Sequence, residues 1–113
     1  MAKVVVIEPQ PEVRELLLRI AVRLGHEAVA YESEQDLADV DVLLLEPAAV
    51  NGPEAARAAG AVGAAIVCIS IYPPSDETRA LDPVAFLHKP FALVDLERAI
   101  VGALASRKPL TAV

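Results

Sequence analysis

The chain has 113 residues, 55% of them hydrophobic, which is enough for one compact domain with a buried core and too little for a second. Charges or prolines interrupt every apolar run well short of the about eighteen residues that a membrane span needs, and the run after Met1-Ala2-Lys3 is too short for a signal-peptide core, so a cytoplasmic protein with no membrane contact is expected. A net charge of −6 repels a phosphate backbone and argues against direct nucleic-acid binding.

Val4 to Ile7 is a short, unalternating apolar run, the pattern of a strand covered on both faces. Pro11 and Glu12 then mark a helix start, because proline loses nothing at a first helical position and an acid suits the positive end of the dipole. Val13, Leu16, Leu17, Ile20 and Leu24 recur at helical spacing, and Gly25 stops the helix. A weaker strand follows over His26 to Tyr31. Ser33-Glu34-Gln35-Asp36 resembles a capping box, opening a helix that must end by about Val40 because the next strand, Val42 to Leu45, is close behind.

Asn51-Gly52-Pro53-Glu54 punctuates the chain before alanine-rich Ala55 to Ala59, and Ser75-Asp76-Glu77 caps a brief helix ending near Asp82-Pro83, so the middle helices read as abbreviated. Between them lies the apolar run Ala65 to Ile69. It contains Cys68, the single cysteine, which has no disulfide partner in the chain and reads as a small buried hydrophobe. Val84 to Leu87 is the fifth strand. The last helix begins after Pro90 with Leu93, Leu96, Ile100 and Leu104 on one stripe, and Pro109 forbids its continuation. The domain is therefore expected over residues 1–105, with 106–113 as a tail or linker.

Strand and helix patterns alternate five times, which predicts an α/β fold: a doubly wound, flavodoxin-like parallel sheet of five strands in the order 2-1-3-4-5, with shortened middle helices. In such a sheet the functional crevice lies beyond the carboxyl ends of the strands. That rule selects Glu8, Glu46, Ser70 and the pair Lys89-Pro90.

These residues carry a resemblance. Val4-Val5-Val6-Ile7-Glu8, Asp41 to Glu46, and Phe86-Leu87-His88-Lys89-Pro90-Phe91 resemble, in that order, the acidic first strand, the acceptor strand and the lysine-proline motif of response-regulator receiver domains, over roughly residues 3 to 105. The resemblance implies a phosphorelay module that takes a phosphoryl group from a histidine kinase onto an aspartate, helped by magnesium, a hydroxyl residue and a lysine. On it, Glu46 is the phosphoacceptor equivalent, Glu8 and Pro9 the acidic-pocket equivalents, Ser70 and Phe86 the switch equivalents, and Lys89 the lysine equivalent. It also implies a cis peptide before Pro90.

The chain departs from that pattern where the chemistry is. The extra methylene of Glu46 displaces its carboxylate by roughly one C–C bond, about 1.5 Å, from the position for in-line attack. Pro9 replaces an acid, leaving too few carboxylates for a cation that demands near-octahedral oxygens, so no cofactor is expected and magnesium binding should be weak or absent. Two readings of Glu46 stand side by side: a permanent carboxylate imitating a phosphorylated state, or a polar residue at a solvated strand end, weakly paired with an exposed Lys89.

The expected function is thus a pseudo-receiver, a non-enzyme acting through protein contacts with a histidine kinase, an output domain or a second receiver, including a homodimer. The alternatives are a working receiver with a divergent site and a flavin or nucleotide binder. The latter is disfavoured because Pro9-Gln10-Pro11 lacks the N–H donors of a phosphate nest. No nucleophile elbow or His-based triad is present, and His26 and His88 have no neighbours at zinc-ligand spacing.

Overall fold

The computed structural model describes residues 1–107. Strands β1 (Lys3–Ile7), β2 (Glu27–Ala30), β3 (Val42–Leu45), β4 (Ala65–Ser70) and β5 (Ala85–His88) form one parallel sheet in the expected order, β2-β1-β3-β4-β5. Register explains how nearly unbroken apolar strands serve two cores. Val4, Val42 and Ala65 are aligned across the three central strands, as are Val5, Leu43 and Ile66, and successive residues point to opposite faces.

One face holds Val6, Leu44 and Val67 against α1 (Pro11–Arg23) and α4 (Leu93–Ser106), which contribute Leu17, Ile20, Leu96 and Ile100. The other face holds Val5, Leu43 and Cys68 against a 3₁₀ turn (Glu34–Leu37) and α2 (Gly52–Ala61), which contribute Leu37, Ala55, Ala56 and Ala59. The short α3 (Asp76–Ala80) follows β4. Two sheet faces covered by helices define the doubly wound architecture.

The helix boundaries follow local chemistry. Pro11 is the first residue of α1, and Gly25 takes up φ +92° just after the helix ends. Asp36 folds back to accept hydrogen bonds from the N–H groups of Glu32 (2.7 Å) and Ser33 (3.0 Å), which holds its carboxyl below the usual range. The Ser75 hydroxyl caps α3 by accepting from the Thr78 N–H at 3.1 Å.

One expectation needs correction. The helix read as abbreviated at Ala55 to Ala59 is ten residues long, because Pro53 sits in its first turn and Gly60 is tolerated within it. The last helix begins after Pro90 as expected, at Leu93, its N-cap Ala92 being extended. Of the stretch expected to be tail or linker, Ser106 closes α4, Arg107 pairs with Asp41 at 2.7 Å, and residues 108–113, with Pro109, lie outside the described residues.

Gly52 sets the approach of α2 to the end of β3. A Cβ there would lie 3.2 Å from Leu45 Cδ1 and 3.3 Å from the Glu46 carbonyl oxygen. A Gly52→Val substitution therefore overpacks against backbone that cannot yield, and an expected loss of about 1–3 kcal/mol should be read as a lower urea midpoint with unchanged slope.

Candidate functional site

β1, β3, β4 and β5 all run in the same direction, so the residues that follow them emerge at one edge of the sheet. There Glu8, Glu46, Ser70 and Lys89 converge, although 81 positions separate the first from the last. Lys89 follows β5, and its stem must cross the ends of β4 and β3 to reach β1. That path covers it: its side chain is 10% exposed, against 1% for Glu8 and 8% for Glu46.

The ammonium of Lys89 donates to Glu8 Oε1 at 2.6 Å and lies 3.4 Å from Glu46 Oε1. Each carboxylate has a backbone donor on its other oxygen, the Gln10 N–H to Glu8 Oε2 at 3.1 Å and the Ala48 N–H to Glu46 Oε2 at 3.4 Å. Two buried acids thus share one largely covered base. In that poorly screened setting, pairing of this kind is what makes burial of the charges tolerable.

This geometry corrects the reading of Glu46 as a residue at a solvated strand end with an exposed salt bridge. Glu46 is buried, the Lys89 side chain is largely covered, and the lysine's shorter contact is with Glu8. The cause is reach: a four-carbon stem laid over the sheet edge carries its charge past β3 to the end of β1.

The remaining positions frame this cluster. Pro9 is exposed and brings neither a carboxylate nor an N–H donor. Ser70 is buried, its hydroxyl accepting from the Tyr72 N–H at 3.1 Å, while its carbonyl accepts from the Lys89 N–H at 2.9 Å. Phe86 is half-buried against the α2 side of the core, and the Lys89–Pro90 peptide is cis. Arg14, which the sequence did not single out, donates Nη1 to the Glu8 carbonyl at 3.1 Å and fixes the turn after β1. Its position, within the first turn of a helix that starts three residues after Glu8, was the available signal.

A divalent cation does not fit this donor set. Every oxygen of Glu8 and Glu46 already faces an N–H or ammonium donor, and Lys89 brings a positive charge to the point where the two carboxylates meet. Among the described residues no group of three His, Cys, Asp or Glu side chains is placed to hold a metal ion.

Beneath Glu46, Cys68 is fully buried. Loss of hydration first, and the negative charge of Glu46 second, push its thiol from an ordinary 9.0 up to about 12.

No protein-family model and no curated protein sequence matches the chain. Solved structures do. A response regulator receiver protein from Burkholderia phymatum is 22% identical with a TM-score of 0.76, the alignment covering 97% of this chain and 100% of that one. The chemotaxis protein CheY4 of Vibrio cholerae is 20% identical at TM-score 0.75, covering 92% and 99%. The response regulator TrrA of Thermotoga maritima, solved in complex with Mg²⁺-BeF, is 21% identical at TM-score 0.72, covering 92% and 100%. The fold is therefore that of response-regulator receivers, shared over nearly the whole length of each.

Proposed function

We propose that the chain is an atypical receiver module of two-component signalling that is not phosphorylated at the usual position and acts through protein–protein contacts. Its partners, on this reading, are a histidine kinase, an output domain or a second receiver. The observation that carries the reading is Lys89: its ammonium, 2.6 Å from Glu8 and 3.4 Å from Glu46, holds the carboxylates that phosphoryl transfer and its metal would need. The receiver-like fold of the solved neighbours supports the signalling context.

Without a cation and a free acceptor oxygen, the domain keeps one charge arrangement whatever the phosphodonor supply. A bound ligand shifts a conformational equilibrium only by its differential affinity for the two states, so a site that takes up no phosphoryl group transmits no phosphorylation signal.

The test is incubation with acetyl phosphate and Mg²⁺, followed by intact-mass spectrometry and an amide NMR spectrum. The natural sequence should gain no phosphoryl mass and show no shifts at Glu8, Glu46 or Ser70, with or without Mg²⁺ and beryllofluoride. The double substitution Pro9→Asp and Glu46→Asp, which supplies a second acid and withdraws the acceptor by one methylene, should respond to Mg²⁺. A phosphoryl adduct on the natural chain would instead establish a working receiver with a divergent site.

A further inference from the structure

Beside the charged cluster, a cleft of about 220 Å³ opens between the loop after β3 and the loop after β4. It is lined by Pro47 and Pro53 from the β3–α2 segment, by Tyr72 and Pro73 from the loop after β4, and by Phe86 of β5. Tyr72 remains 60% exposed. This volume is below the roughly 300–1,000 Å³ of small-molecule sites, and it suits one or two apolar side chains presented by a larger partner.

Charge narrows the partner further. Glu77 is the one charged residue lining the cleft and no lining residue is basic, while Asp76 beside it is paired with Arg79 at 3.3 Å. The chain as a whole carries −6. A ligand with Lys or Arg next to its apolar residues gains from that field, and an acidic one is repelled. A lining of three prolines with Tyr72 and Phe86 matches the way extended proline-containing segments are recognised.

We infer that this cleft docks a short extended segment of a partner protein, with a proline or aliphatic residue inserted between Pro47 and Tyr72 and a flanking Lys or Arg facing Glu77. The inference rests on the reading that the domain works through protein contacts, and it names the chemistry of the contact.

The experiment is selection of a random peptide library on the natural protein, followed by titration of a synthetic peptide of the winning sequence into the natural protein, Tyr72→Ala and Glu77→Lys. Both positions are exposed, so each variant should keep the natural amide spectrum elsewhere. The expected winners pair proline or aliphatic residues with Lys or Arg, move the amide signals of Tyr72, Thr78 and Phe86, and bind each variant about tenfold or more weakly. No enrichment, enrichment of acidic peptides, or affinity indifferent to both substitutions would overturn it. So would a dimer of the natural protein that Tyr72→Ala dissociates, since a second copy would then be the occupant. The acetyl phosphate result is read separately: an adduct there with basic peptides still bound here would remove the claim of lost phosphorylation and leave the cleft standing.

Discussion

Lys89→Met should lower the stability of the domain by about 3–5 kcal/mol, the cost of removing one partner from a buried charge group and leaving the other side uncompensated. Methionine keeps much of the stem's length and apolar contact, so the loss reports charge rather than packing. Two carboxylates would remain, with side chains 1% and 8% exposed, each with a single backbone donor. Against a total stability of about 5–15 kcal/mol, that is a large share, and it should lower the melting temperature by about 10 °C or more. Adding Glu8→Gln and Glu46→Gln to the same chain removes the stranded charges and should recover part of the loss. If the single and triple variants melt together, the cluster contributes through shape alone.

Cys68 should not react with a thiol reagent in the native protein at pH 8 and should react fully once the chain is unfolded in denaturant. Raising the thiol from 9.0 to about 12 lowers its thiolate fraction by roughly a thousandfold, and burial closes the path of approach. The linkage runs in one direction. Because the folded value lies above the unfolded one, the stabilisation is fully present below pH 9 and is lost as the pH rises from there to about 12. Cys68→Ala should flatten the stability profile in that alkaline window and leave its acid limb unchanged. A native protein that labels at pH 8 as fast as a free thiol would show that β4 opens locally.

Much of this architecture is legible in the residues. Val42–Leu45 is the same strand by sequence and by structure, and β1 and β4 each extend one residue further, to Lys3 and to Ser70. The fifth strand is displaced by one residue, to Ala85–His88, although the Val84 N–H still donates to the Ile66 carbonyl at 2.8 Å. Apolar runs this short specify a covered strand but not where its ladder ends. α2 is longer than its composition suggests, because Gly52, Pro53 and Gly60 are breakers by composition while their effect depends on position in the helix. The four residues at the sheet edge could be foreseen because parallel strands deliver their ends to one side. Which carboxylate the lysine prefers could not, because that depends on how a flexible stem lies over the edge, and no sequence spacing encodes the path.

The two coats of the sheet differ in bulk. α1 and α4 press Leu17, Ile20, Leu96 and Ile100 onto one face, whereas α2 meets the other with Ala55, Ala56 and Ala59. A complete map of single substitutions should therefore split along the sheet. On the leucine and isoleucine side, harm comes from truncation, which hollows the interior. Along α2, truncation has almost nothing to remove, and harm comes from enlargement, which lifts the helix away from Leu43, Leu45 and Ile66 beneath it. Evolution in α1 and α4 is free to exchange one large residue for another; at the buried positions of α2 it is confined to the smallest side chains.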